Sequence, residues 1–166
     1  MDASQQERIR QRYVYSCGYC GVHESDVGAT LTVDHYHPTI HGGTNDDENL
    51  VYCCPRCNEH KGAYWHEVQI PHLRLLHPLE DNLTLHLREQ QNAELIGETP
   101  EGAFYIQRLR LNRPQLIEHR RRKHADQKRQ NEVKMLRQQI SDLQQELVEL
   151  NSSLREILTE IDQETT

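Results

Sequence analysis

The chain has 166 residues, 35% hydrophobic and 5% aromatic, and a formal net charge of −7, which is thin material for one compact core and fits a small stapled domain with an elongated appendage. It holds no apolar run near the roughly 20 residues of a membrane span, and its opening Met1-Asp2-Ala3-Ser4-Gln5-Gln6-Glu7 has no signal-like segment, which excludes a membrane span and sets the expectation of a soluble, cytoplasmic protein. The negative total speaks against a polyanionic partner, but Arg108, Arg110, Arg113, Arg120, Arg121, Arg122 and Lys123 stand against the single acid Glu118 in their stretch, whereas Glu132 to Glu164 is mainly acidic.

From Ser4 to Tyr15 the apolar Ile9, Tyr13 and Val14 recur at roughly helical spacing, which predicts a short helix running up to Cys17. Thr30-Leu31-Thr32-Val33 alternates and is rich in β-branched residues, a strand that delivers Asp34 and His35 at its end. Neighbours on a strand point to opposite sides, so these two converge only at a bend or a strand end. Gly42 to Asp47 is a run of turn residues. Pro55, directly after Cys54, suits the first turn of a helix that carries Cys57, Asn58 and Lys61 before Gly62 stops it. Farther on, Leu83 to Arg88 alternates as a half-buried strand, and Ala93 to Ile96 can pair with it as a hairpin. Thr99 and Pro100 read as the cap and first turn of a helix through Tyr105, Ile106, Leu109 and Leu111, and Pro114 opens another.

The C-terminal stretch places Val133, Leu136, Ile140, Leu143, Leu147, Leu150, Leu154, Ile157 and Ile161 in strict three-four alternation with no Gly or Pro, and Leu158 widens the stripe. This is a heptad seam. A helix packed on its own chain and a homo-oligomeric coiled coil both produce it. The second is favoured, because a span of about 40 Å at ~1.5 Å per residue is too long to fold back on so small a domain. Leu and Ile are mixed at both seam positions, which leaves dimer against trimer open, with the dimer favoured.

Four of the five cysteines form two pairs, Cys17-x-x-Cys20 and Cys54-x-x-Cys57. In a reducing compartment such pairs ligate metal rather than form disulfides. Four thiolates give Zn²⁺ a closed tetrahedral set, and in a small core its binding energy is folding energy. A redox dithiol competes for either pair alone; two pairs together favour structural zinc. The spacing leaves out Cys53, which reads as a small buried hydrophobe.

Around these pairs, Asp34-His35, Asn49 and Cys57-Asn58-Glu59-His60-Lys61-Gly62 resemble the motif of the HNH endonucleases, whose core is a ββα-metal unit, and the four cysteines resemble that family's zinc-stapled branch. Asn58 stands where many members carry the final histidine. From Leu85 to Lys123 the pattern looks like the tail of small stand-alone bacterial members, so the resemblance spans about Tyr13 to Lys123 and leaves the heptads outside. It implies a zinc-stapled nuclease domain at 1–66 and a β-hairpin and helix extension with a basic helix at 67–124; the heptads add a coiled-coil oligomerisation helix at 125–166, for an α+β chain.

The resemblance also implies hydrolysis of DNA phosphodiesters. His35 would be the general base, since an imidazole changes protonation near neutral pH and accepts a proton when neutral. Asp34 and Asn58 would hold a catalytic Mg²⁺ or Mn²⁺ through oxygen. Asn49 would serve catalysis by holding the loop and orienting the His35 ring. His37, His41, His60 and His66 lie in or near this window and read as surface histidines by default. Arg56, Lys61 and the basic stretch Arg108, Arg110, Arg113, Arg120, Arg121, Arg122 and Lys123 are candidates for phosphate contacts, and nothing reads base sequence. The implied partners are DNA, double-stranded favoured over single-stranded, a second copy of the chain, and a regulatory protein of the kind that would control a nuclease in phage defence. The alternative from another class is a non-catalytic zinc-binding adaptor for nucleic acid or protein, whose coiled coil docks a partner.

Overall fold

In the computed structural model, which describes residues 1–66 and 70–164, helix α1 (Ala3–Arg12) begins where the Asp2 carboxylate accepts the Gln5 N–H at 2.7 Å. It ends before Tyr15, earlier than its apolar spacing predicts, because Val14 and Tyr15 take positive φ values of 49° and 57° and turn the chain toward Cys17. A short helix α2 (Glu24–Val27) follows the first cysteine pair.

Strand β1 (Thr32–His35) pairs antiparallel with β2 (Leu50–Cys53), Asp34 opposite Val51 and His35 opposite Leu50. β1 therefore ends on Asp34 and His35, as its alternation predicts, and starts at Thr32 rather than Thr30. β2 is buried along its whole length and carries the chain into α3 (Pro55–Lys61). The Cys54 sulfur caps α3 by accepting the Cys57 N–H at 3.4 Å, and Gly62, at φ 54°, terminates it.

Beyond residue 70 come α4 (Leu83–His86), the hairpin β3 (Leu87–Glu89) and β4 (Leu95–Gly97), and α5 (Pro100–Arg108), which the Thr99 hydroxyl caps by accepting the Gly102 N–H at 3.1 Å. The predicted strand over Leu83 to Arg88 is thus helical over its first four residues. Asn82 is the reason: its side-chain oxygen accepts the Thr84 N–H at 3.2 Å and starts a helical turn that postpones the ladder to Leu87.

Met1–Arg121 forms one compact unit and Arg122–Thr166 a second. The first unit has a single core. Ile9, Tyr13, Cys17, Tyr19 and β2 pack with Leu75, Leu76, Tyr105, Leu109, Leu111 and Leu116, the isoleucine and each leucine worth roughly 1.5–3 kcal/mol for its burial. The Tyr105 hydroxyl reaches back to donate to the Tyr19 carbonyl at 3.3 Å. Helix α6 (Pro114–Glu164) opens at Pro114 as its sequence predicts and continues through the heptads. In the second unit the seam residues Val133, Leu136, Ile140, Leu143, Leu147, Leu150, Leu154 and Ile157 are all exposed, from 47% to 64%, while the Ile161 side chain lies outside the described residues.

Candidate functional site

The sulfurs of Cys17, Cys20, Cys54 and Cys57 all lie within 4.8 Å of one another. A zinc tetrahedron with bonds of about 2.3 Å has edges of about 3.8 Å, which is the 3.8 Å between the Cys20 and Cys54 sulfurs. The donor set and its size fit zinc. The cluster is crowded and mostly buried; hydrogen bonds from its neighbours, Cys17 foremost, hold the Cys54 thiol well below its usual range, whereas burial pushes Cys17 up. Arg113 points a guanidinium nitrogen at two of the sulfurs, 3.5 Å from Cys57 and 3.8 Å from Cys54. Four thiolates around one Zn²⁺ leave a net double negative charge, and this arginine offsets part of it. Cys53 is fully buried outside the cluster, its thiol pushed well up by burial.

One face of β1 carries Asp34. Its Oδ2 accepts a hydrogen bond from the Tyr19 hydroxyl at 2.8 Å and lies 3.0 Å from the Lys61 ammonium. Lys61 is wholly buried at the end of α3 and also donates to the His35 carbonyl at 2.7 Å, which ties α3 to the strand. Burial pushes the Asp34 carboxyl up, and the Lys61 charge opposes the rise. Asn58 sits three residues before Lys61, so it shares that helix face and lies one turn along from the Lys61–Asp34 contact. Among the described residues its side-chain amide makes no hydrogen bond. A carboxylate and an unengaged amide on facing elements suit a hard cation completed by water.

His35 is the last residue of β1, at the strand end where alternation no longer has to separate it from Asp34. Its Nε2 lies 2.7 Å from the Asn45 side-chain oxygen. That oxygen only accepts, so Nε2 is the donor, and in the neutral ring the free lone pair then lies on Nδ1. Sequence reasoning passed over Asn45, one polar residue in a loop of turn residues.

Asn49 binds elsewhere: its oxygen accepts the His37 N–H at 2.7 Å, and its amide nitrogen donates to the carbonyls of His37 at 3.0 Å and Thr44 at 2.7 Å. These bonds clamp the two ends of the loop that carries Asn45. Gly43 completes the clamp; a Cβ there would lie 1.7 Å from the His37 carbonyl oxygen, so no other residue fits without moving the chain. His37 stacks on Trp65 with ring centres 3.8 Å apart and planes 19° from parallel. His66 also lies against Trp65, His60 is kept below its usual range by burial and by Arg113 and Arg110, and His41 is exposed. Among the described residues the four cysteines form the one cluster of three or more His, Cys, Asp or Glu able to hold a metal, so these histidines build no second one.

The basic residues divide. Lys61, Arg113 and Arg120 are engaged inside the protein, Arg120 donating to the carbonyls of Ala93 at 2.7 Å and Leu111 at 3.0 Å. Arg108 donates to the Lys61 carbonyl at 2.7 Å and covers the Tyr64 ring at 4.6 Å. Arg121 makes a 3.3 Å bond to the Asn92 carbonyl but stays exposed, and Arg56 pairs with its helix neighbour Glu59. Arg110, Arg122 and Lys123 are exposed.

Residues 17–63, which span both cysteine pairs, both strands and α3, match the family model of the HNH endonucleases, so this part of the chain is an HNH endonuclease domain, nuclease in type. No curated protein and no solved structure matches the chain. Among the described residues no helix is long and apolar enough to cross a membrane.

Proposed function

We propose that this HNH endonuclease domain hydrolyses DNA phosphodiesters with His35 as general base. The observation that carries the reading is the fixed ring: Asn45 holds His35 Nε2 at 2.7 Å, on a loop that Asn49 clamps. His35 Nδ1 takes the proton of the attacking water. Asn49 serves catalysis through the loop, keeping Asn45 and hence the ring in place. Asp34 and Asn58 hold Mg²⁺ or Mn²⁺; Asp34 Oδ2 is taken up by Tyr19 and Lys61, which leaves Oδ1 as its donor. When bound there, the cation supplies charge neutralisation at the phosphate and the leaving 3′ oxygen. Lys61 sets the position of Asp34 from within the protein, and zinc in the four-cysteine cluster staples the turn between α1 and α2 to the start of α3.

Arg56, Arg110, Arg121, Arg122 and Lys123 remain at the surface as the residues that meet DNA phosphates, and a double-stranded substrate suits contacts of this sequence-blind kind. The exposed seam of α6 supports a homo-oligomer, and the setting in this reading is the cytoplasm. The test is cleavage of supercoiled plasmid by zinc-loaded protein with Mg²⁺ or Mn²⁺, beside EDTA and a His35→Ala variant. Metal-dependent nicking that His35→Ala loses supports the reading. Equal inertness of both proteins on plasmid, single-stranded DNA and RNA would replace it with the adaptor, in which the same frame binds without cutting.

A further inference from the structure

We infer that the seam of α6 binds a second copy of the chain in parallel, in register, as a two-stranded coiled coil. The inference rests on the homo-oligomer reading above and adds the number of strands and their direction.

Over the seam from Val133 to Ile157, with Val133 as position a of the first heptad, the a positions are Val133, Ile140, Leu147 and Leu154 and the d positions Leu136, Leu143, Leu150 and Ile157. The first two a positions are β-branched and the first three d positions are leucine, the combination that favours two parallel strands. The residues flanking the seam decide direction. Glu132, Gln139 and Glu146 occupy g positions, and Arg137, Gln144 and Asn151 occupy e positions. In a parallel pair each g residue meets the e residue five places later on the partner, so Glu132 meets Arg137, twice by symmetry. In an antiparallel pair with full seam overlap, g meets g, and Glu146 faces its own copy across the middle while Arg137 faces Asn151. Charge favours the first arrangement and penalises the second.

The hydrogen bonds of the isolated helix agree. On the outer face Gln138 bonds Asp142 at 2.8 Å and Gln145 bonds Glu149 at 3.2 Å, both within the chain. Among the described residues Glu132, Arg137 and Glu146 make no such bond or ion pair. The flanking charges are left for a partner, and a second copy supplies the complement. A parallel pair also brings both chains into the coil at the same end.

Full-length, zinc-loaded protein tests this by sedimentation equilibrium and by oxidation of single-cysteine seam variants. The mass should be that of a dimer. Leu150→Cys alone should form an inter-chain disulfide, since equal positions meet, and wild type treated alike should not. Arg137→Glu should weaken the dimer about tenfold, and adding Glu132→Arg should restore it, because in the antiparallel form Arg137 has no charged partner to lose. A monomer or a trimer overturns the inference. So does a dimer in which Leu150→Cys crosslinks only when mixed with Ile140→Cys, the antiparallel layer. None of these readouts depends on cleavage, so an inactive nuclease and a wrongly assigned coil give different results.

Discussion

At the scale of single residues, two contacts carry more of the site than their positions in the sequence announce. Asn45 is the partner of the proposed base, and its removal should free the ring without disturbing the core. Asn45→Ala should lower the cleavage rate on the order of tenfold to a hundredfold with unchanged thermal stability, measured by plasmid kinetics and calorimetry. Asn45→Asp sets a carboxylate against the imidazole. A nearby negative charge favours the protonated ring, and the base must be neutral to act, so the acid limb of the pH–rate profile should move to higher pH, by on the order of one unit. A profile identical to wild type would remove Asn45 from the role. Arg113 is the second contact. With its guanidinium 3.5 Å from the Cys57 sulfur, Arg113→Met should raise the rate of zinc transfer to a chromogenic chelator by about 10–100-fold, the range for loss of an outer-shell partner, and an unchanged rate would leave the arginine a mere neighbour.

Elements show where local signals compete. Pro55, Thr99-Pro100 and Gly62 start and stop helices as their chemistry predicts, because each acts on backbone within one turn. Leu83 to His86 does not follow its alternation, because the Asn82 cap outweighs it over so short a run. The seam of α6 is the longest uninterrupted pattern in the chain and the most exposed apolar one in the fold. Leu143→Lys with Leu150→Lys should therefore give monomers by sedimentation that still nick plasmid but rarely cut both strands. Undiminished double-strand cutting by proven monomers would separate the coil from the chemistry.

For the whole molecule, the cysteine cluster and the extension stand or fall together. Tyr105, Leu109, Leu111 and Leu116 complete the core around Cys17, Tyr19 and β2, and Arg113 joins α6 to the sulfurs. Stripping zinc should melt residues 1–121 as one transition, seen as lost near-ultraviolet circular dichroism, while much of the helical far-ultraviolet signal of the α6 heptads persists. A separate surviving transition for residues 70–121 would show that the extension has a core of its own. Readdition of Zn²⁺ should restore the folded unit, since metal affinity and folding energy are linked.

The four-cysteine cluster and the long C-terminal helix were legible from residue types and spacing, and the HNH domain from its family resemblance, because cysteine pairs, a short motif and a repeating helix are each local in the chain. Which basic residues stay outside was not. Lys61, Arg113 and Arg120 sit in stretches that look solvated, yet their charges are spent on Asp34, on sulfurs and on carbonyls that come from distant parts of the chain. Nor did spacing show that Asn45 would reach the His35 ring while Asn49 clamped the loop. Sequence by itself determined the parts whose physics is local: cysteine pairs, caps and periodicity. Tertiary structure alone decided which polar groups meet, because a hydrogen bond or ion pair depends on separations of a few ångströms between residues that the chain brings together only when it folds.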